Sequence, residues 1–114
     1  MRLYHLAGQR TVVENLDLAE DSSSRRRGLI GHPPLSQRQG LLIRPCRWVH
    51  TFGMSFPIDV VYLGRDGRVV ALSENLVPNR IDRPVLRAQC VVEMAAGAIQ
   101  RTGLAVGDHL EPRP

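Results

Sequence analysis

Hydrophobic and polar positions along the 114-residue chain fall into many short apolar runs separated by turn residues, and few stretches show helical spacing. Residues 58–63 (IDVVYL), 68–72 (RVVAL) and 90–94 (CVVEM) are apolar and β-branched, which favours an extended chain on a pleated surface. Asp66-Gly67 lies between the first two runs. Flanked in this way, an Asp-Gly pair predicts a tight hairpin, because the turn needs positive φ. Residues 2–6 and 10–18 are two further apolar runs separated by Gly8, which predict a hairpin or two successive strands, and residues 40–43 (GLLI) predict another strand. Residues 19–24 (AEDSSS) supply N-cap chemistry for a helix running through Arg25 to about Leu29 and stopping at Gly31, ahead of His32-Pro33-Pro34. A second short helix is predicted over residues 96–103 with Gly103 as its stop. Residues 73–87, broken by Asn75, Pro78 and Pro84, predict a long loop, residues 104–110 a turn at Gly107-Asp108 into a last short strand, and residues 111–114 a frayed tail. The expected fold is mostly β (α+β): a compact antiparallel β-sandwich or small barrel with one or two short helices, one domain over residues 1–114.

Residues 48–63 (WVHTFGMSFPIDVVYL) concentrate the unusual chemistry. They hold the chain's one Trp, both of its Phe, a His, a Met and an Asp. If residues 48–54 are extended, Trp48, His50, Phe52 and Met54 share a face. Pro57 cannot donate to a ladder and suits the first position of the strand that follows. Asp59 enters that strand as a lone acid among apolar neighbours, and Glu93 does the same in VVEM. Burying a carboxylate without partners is costly, so each acid must sit at a wet strand end, be held by donors, or face a pocket.

The distribution of charge matters more than its sum of +4. Residues 25–47 carry six Arg and no acid, while residues 48–114 carry seven of each sign. Every basic residue is Arg, which grips carboxylate or phosphate as a bidentate fork and so suits an anion site. Nucleic-acid binders usually interleave basic and aromatic residues, and only Trp48 stands near the basic block, which argues against that class. Cys46 and Cys90 form no CxxC and cannot make a structural zinc site alone, so reduced thiols are expected. No apolar run approaches the length of a membrane span, and the first residues lack a signal-peptide pattern, so a cytoplasmic location is expected.

In order, residues 25–30 (RRRGLI), 40–43 (GLLI), 50–54 (HTFGM), 57–63 (PIDVVYL), 66–70 (DGRVV) and 91–94 (VVEM), with Ala96-Gly97 and Gly107-Asp108, resemble the Domain of Unknown Function 192 family of small prokaryotic proteins. The resemblance spans residues 25–110. It implies a compact β-rich fold with a helix ahead of the Gly-Leu block, and it implies no activity, cofactor or catalytic set. Where the family usually shows Gly-Leu-Met and then a basic residue, this chain has Ile30 and His32.

The candidate pocket residues are Arg27, Arg44, His50, Thr51, Asp59 and Glu93, gathered beside residues 48–63. His50 is the group there best able to change charge near neutral pH. The expected function is a small ligand-binding or accessory module for a small, anionic ligand, with no assigned catalytic residues and no cofactor. His plus two carboxylates is a permitted ligand set, but no HxH, HxxxH or HExxH spacing occurs and no metal is expected. One alternative is a hydrolase, using Asp59 and Glu93 as carboxyls about 5–9.5 Å apart or Cys46 with His50 as nucleophile and base. The other is a structural partner of a larger assembly, which an exposed apolar patch would favour.

Overall fold

A computed structural model of the chain describes all 114 residues. The elements run β1 (Arg2–His5), β2 (Arg10–Val13), β3 (Asn15–Ala19), α1 (Ser22–Arg27), β4 (Gln39–Ile43), β5 (Ile58–Leu63), β6 (Val69–Leu76), β7 (Cys90–Ala95), α2 (Ala98–Thr102) and β8 (Leu110–Arg113). They form a three-stranded sheet, β2-β1-β8, and a five-stranded sheet, β3-β4-β7-β5-β6. Every pairing is antiparallel except β3 with β4. Neither sheet closes on itself, so of the two expected architectures the sandwich forms and the barrel does not.

Burial explains why the central strands are apolar throughout. All six residues of β5 and all six of β7 are buried. On one face, Val61, Leu63, Val92 and Met94 pack with Leu3, Val13 and Leu110 of the smaller sheet and with Ala98 and Ile99 of α2. On the other, Ile58, Val60, Tyr62 and Val91 pack under Leu29, Val49, Met54 and Phe56. The segment before β5 is therefore the roof of the outer core.

The Asp66-Gly67 turn forms between β5 and β6 with φ of 64° and 83°. Several expectations change. The run over residues 10–18 splits: residues 10–13 pair with β1, and residues 15–19 cross to the other sheet beside β4. Residues 73–76 continue β6 rather than opening the long loop. The expected frayed tail is mostly strand, because residues 110–113 pair with β1 and Arg113 stacks 3.9 Å over the Tyr4 ring. Helix α1 ends at Arg27, two residues short of Leu29, because Gly28 leaves the helix with φ 50°.

Two side chains tie distant segments together. Asp59 is fully buried on the sandwich face and takes backbone N–H groups on both oxygens: Asn75 donates to Oδ1 and Ile99 to Oδ2, each at 2.9 Å. Ile99 lies in the first turn of α2, whose free N–H groups favour an anion, so a strand residue caps the helix. Thr51, also fully buried, clips residues 77–80 to the segment before β5. Its hydroxyl donates to Val77 O at 2.6 Å and accepts from Arg80 N–H at 2.9 Å, and its backbone exchanges bonds with Asn79 and Arg80.

Replacing Asp59 with Ala leaves the buried Ile99 N–H and the part-buried Asn75 N–H without an acceptor. Asp59→Ala is expected to lower unfolding free energy by about 2–5 kcal/mol in urea denaturation. A loss below about 1 kcal/mol would show that the carboxylate does not hold α2 to β5.

Candidate functional site

Asp21 starts α1 by accepting the Ser24 N–H at 2.7 Å, and this bond draws its pKa below the usual carboxylate range. The fixed start places Arg25, Arg26 and Arg27 over the outer face of the five-stranded sheet, beside the roof segment. In that segment, residues 47–51 run alongside residues 80–85 through Val85 N–H to Arg47 O, Asp82 N–H to Val49 O and Thr51 N–H to Arg80 O. Only one isolated bridge, His50 with Ile81, has strand geometry. Alternation still holds over the first five residues. Val49 and Thr51 point in, while Trp48 and Phe52 remain about half exposed on either side of His50. The His50 ring centroid lies 5.9 Å from Trp48 and 5.5 Å from Phe52. Met54 leaves the expected shared face and enters the core, because Gly53, with φ 81°, turns the chain inward.

Between α1 and this segment lies a cavity of about 70 Å³ lined by Arg25, Arg26, Arg27, Gly28, Cys46, Trp48, His50 and Glu93 among others. It adjoins a broader, shallower groove of about 430 Å³ that shares Arg25, Arg26, Cys46, Trp48 and His50 and adds Pro45 and Arg47. Glu93 enters from β7, between Leu41 of β4 and Val60 of β5 in register. It is 3% exposed, and its Oε1 has no hydrogen-bond partner. Burial pushes its pKa up to about 7. Gly28 closes α1 directly above it: a Cβ there would lie 3.7 Å from Oε1, so the absence of a side chain keeps the space open. Arg25 contributes a buried Nε that also lacks a partner.

Of the six candidate residues, Arg27, His50 and Glu93 line this cavity. The other three do not, each for a local reason. Arg44, at the end of β4, is bound to Glu20 by Nε at 3.1 Å and Nη2 at 2.8 Å. Thr51 has its hydroxyl occupied by the 77–80 loop. Asp59 projects from the opposite face of the sheet and is saturated by backbone donors. Arg25 and Arg26 complete the cavity instead. Their place in a basic block was visible in the sequence, but which Arg turns inward depends on the helix start at Asp21.

The same geometry answers the hydrolase alternatives. Asp59 faces Met94 in register, and Glu93 faces Val60, so the two acids leave adjacent strands on opposite faces with the sheet between them. They cannot flank one sugar bond. The Cys46 thiol donates to Trp48 O at 3.1 Å rather than meeting an imidazole, and burial raises its pKa, which disfavours a thiolate. The His50 Nδ1 accepts from Phe52 N–H at 3.3 Å, so His50 is bonded to its own segment rather than to Cys46. No three His, Cys, Asp or Glu side chains come together in a way that could hold a metal ion. No helix is long and apolar enough to cross a membrane.

Comparison with known proteins supplies a family and a fold. The family described as Uncharacterized ACR, DUF192, matches residues 5–112. No curated protein matches the chain. A protein of unknown function from Novosphingobium aromaticivorans DSM 12444 is similar in structure, with TM-score 0.78 and 25% identity over 85% of this chain and 74% of its own. A protein from Sinorhizobium meliloti 1021, provisionally named a transcription regulator, gives TM-score 0.79 and 29% identity over 96% of this chain and 89% of its own.

The raised pKa of Glu93 has a measurable consequence. Below its ordinary value of 4.5 the acid is protonated in both folded and unfolded chains, and its charge costs nothing. As pH rises the unfolded chain ionises first, and the folded state loses stability until the buried acid ionises too, at about 7. Over that window the loss from this one group is about 3 kcal/mol. In urea denaturation across pH, Glu93→Gln is expected to gain stability relative to wild type by that order as pH climbs. A difference that stays flat would mean that the carboxyl is solvated.

Proposed function

The chain belongs to the DUF192 family, and from that premise we propose that it is a small-molecule-binding module whose site is the cavity over Glu93. The observation that carries the reading is the buried Oε1 without a partner at the base of a cavity whose wall holds three consecutive arginines. A buried polar atom left unpaired costs about 1–3 kcal/mol, and a stable core would do better with an aliphatic side chain there. Such a group fits a site that a ligand completes. The arginines favour a ligand with a negative charge, and His50 and Trp48 border its entry. In the cavity the Cys46 thiol is bonded to Trp48 O rather than to His50, and no second acid faces Glu93, so binding accounts for the site better than hydrolysis does.

The name of the Sinorhizobium meliloti protein raises nucleic acid as a partner. The basic block does not form a free strip: Arg44 pairs with Glu20 and Arg38 with Glu14. The reading of an accessory protein draws on exposed Trp48, Phe52 and Ile81 on the same side of the molecule.

Small carboxylates, phosphate esters and sugars can be screened by thermal shift against wild type and Glu93→Leu. A true ligand held about 100-fold above its Kd is expected to stabilise the wild type by about 2.7 kcal/mol. The Leu variant is expected to be at least as stable without ligand, yet to lose that response. A ligand that stabilises both proteins equally, or a panel that moves neither, ends the pocket reading. A partner complex that survives in the variant would favour the accessory reading.

A further inference from the structure

We propose that the cavity recognises an acidic sugar, a ring bearing a carboxylate or phosphate, with hydroxyls paired to Glu93 and Arg25, the ring against Trp48 and the acidic group among Arg26 and Arg27. This assignment rests on the ligand-binding reading above and specifies its ligand.

Two unpaired atoms of opposite kind carry it. Arg25 Nε can only donate, and ionised Glu93 Oε1 can only accept; both are buried, both belong to residues lining one cavity, and neither has a partner. An inserted carboxylate or phosphate serves Arg25 but meets like charge whenever Glu93 is ionised. An ammonium serves Glu93 but meets three arginines. A hydroxyl can donate or accept as its neighbour requires, so the hydroxyls of one polyhydroxylated ligand serve both atoms.

Size and surroundings fix the rest of the molecule. At about 70 Å³ the cavity is about half the roughly 150 Å³ that holds a benzene ring, so it admits a substituent and not a ring. The ring itself must lie in the adjoining groove, where Trp48 presents an indole that is 48% exposed. The C–H face of a sugar packs on such a surface. The rings of Trp48 and His50 are tilted by 46°, and those of His50 and Phe52 by 35°, so they make no flat platform for a glycan chain; one terminal ring fits. Arg26 and Arg27 are exposed at the rim and belong to none of the four ion pairs in the molecule, which leaves both forks free for an anion.

Trp48 is the only Trp, so intrinsic fluorescence reports on this site alone. Glucuronate, glucose 6-phosphate, glucose, inorganic phosphate and AMP are titrated against the full chain. Glucuronate or glucose 6-phosphate is expected to shift the emission, with glucose and phosphate each at least ~10-fold weaker for lack of one half of the contacts. Glu93→Gln is expected to weaken the acidic sugar ~10-fold and to leave phosphate binding no weaker, because it removes a like charge. By calorimetry, Trp48→Ala is expected to weaken the same sugar ~10-fold with the unliganded Tm unaltered. Phosphate binding as tightly as glucose 6-phosphate overturns the sugar and leaves the anion pocket standing. AMP binding more tightly than either acidic sugar overturns it in favour of a nucleotide. If all five probes are silent, the sugar is overturned, whereas the pocket falls only with the wider screen.

Discussion

The pleat of two neighbouring strands decides the chemistry of this molecule. β5 and β7 lie inside the five-stranded sheet with both faces covered, so each residue must be buried and alternation alone chooses the side. Asp59 and Glu93 start from equivalent positions, each a lone acid in an apolar strand. One-residue alternation sends Asp59 to the face where β6 and α2 each offer it a backbone donor, and Glu93 toward the cavity, where its Oε1 has none. One acid becomes part of the fold, and the other costs stability and faces space a ligand can enter.

The cavity wall is built by long-range clips rather than by secondary structure. The segment before β5 makes almost no ladder, yet it is held by Thr51 and by residues 80–85. Asp82 anchors that second segment from the sheet: its Oδ2 accepts from Tyr62 at 2.7 Å and from Ser73 at 2.5 Å. Burial, with the carboxylate beside it, pushes the Tyr62 phenol well above its usual range, so it remains a donor at any physiological pH. Positioning of Trp48 and His50 therefore runs from the strands through Asp82 and Thr51 to the rim. A rim held by hydrogen bonds to a loop is easier to adjust around a ligand than one inside a sheet.

Buried groups of the same class serve different ends here. Cys90 has its pKa raised by burial and packs as a small apolar side chain in the sandwich core. His5, on the smaller sheet, takes Gly8 N–H on Nδ1 at 2.8 Å and sets Nε2 3.1 Å from Asp108, which pins the turn before β8. Both His5 ring nitrogens thus find partners within the fold. Among buried side-chain nitrogens and oxygens, only those of Arg25 and Glu93 lack a partner, and the two residues share a cavity. That coincidence separates the site from the rest of the interior.

Local chemistry made much of this molecule legible in the sequence. The Asp66-Gly67 hairpin, an N-cap within residues 21–24, the strands at residues 40–43 and 90–94 and the sandwich class all follow from φ preference, capping and apolar runs within a few residues. The outward trio of Trp48, His50 and Phe52 follows from period two. The sequence also marked Asp59 and Glu93 as acids needing an explanation, but it could not tell them apart. Which face each one takes depends on register with strands 30 or more residues away, and which face offers donors depends on where α2 lands. Arg44 and Thr51 left the site for the same kind of reason: Glu20 and the 77–80 loop reach them only in the folded chain. Periodicity is a property of neighbours along the chain, whereas the satisfaction of a buried charge depends on neighbours in space, and only the tertiary structure decides those.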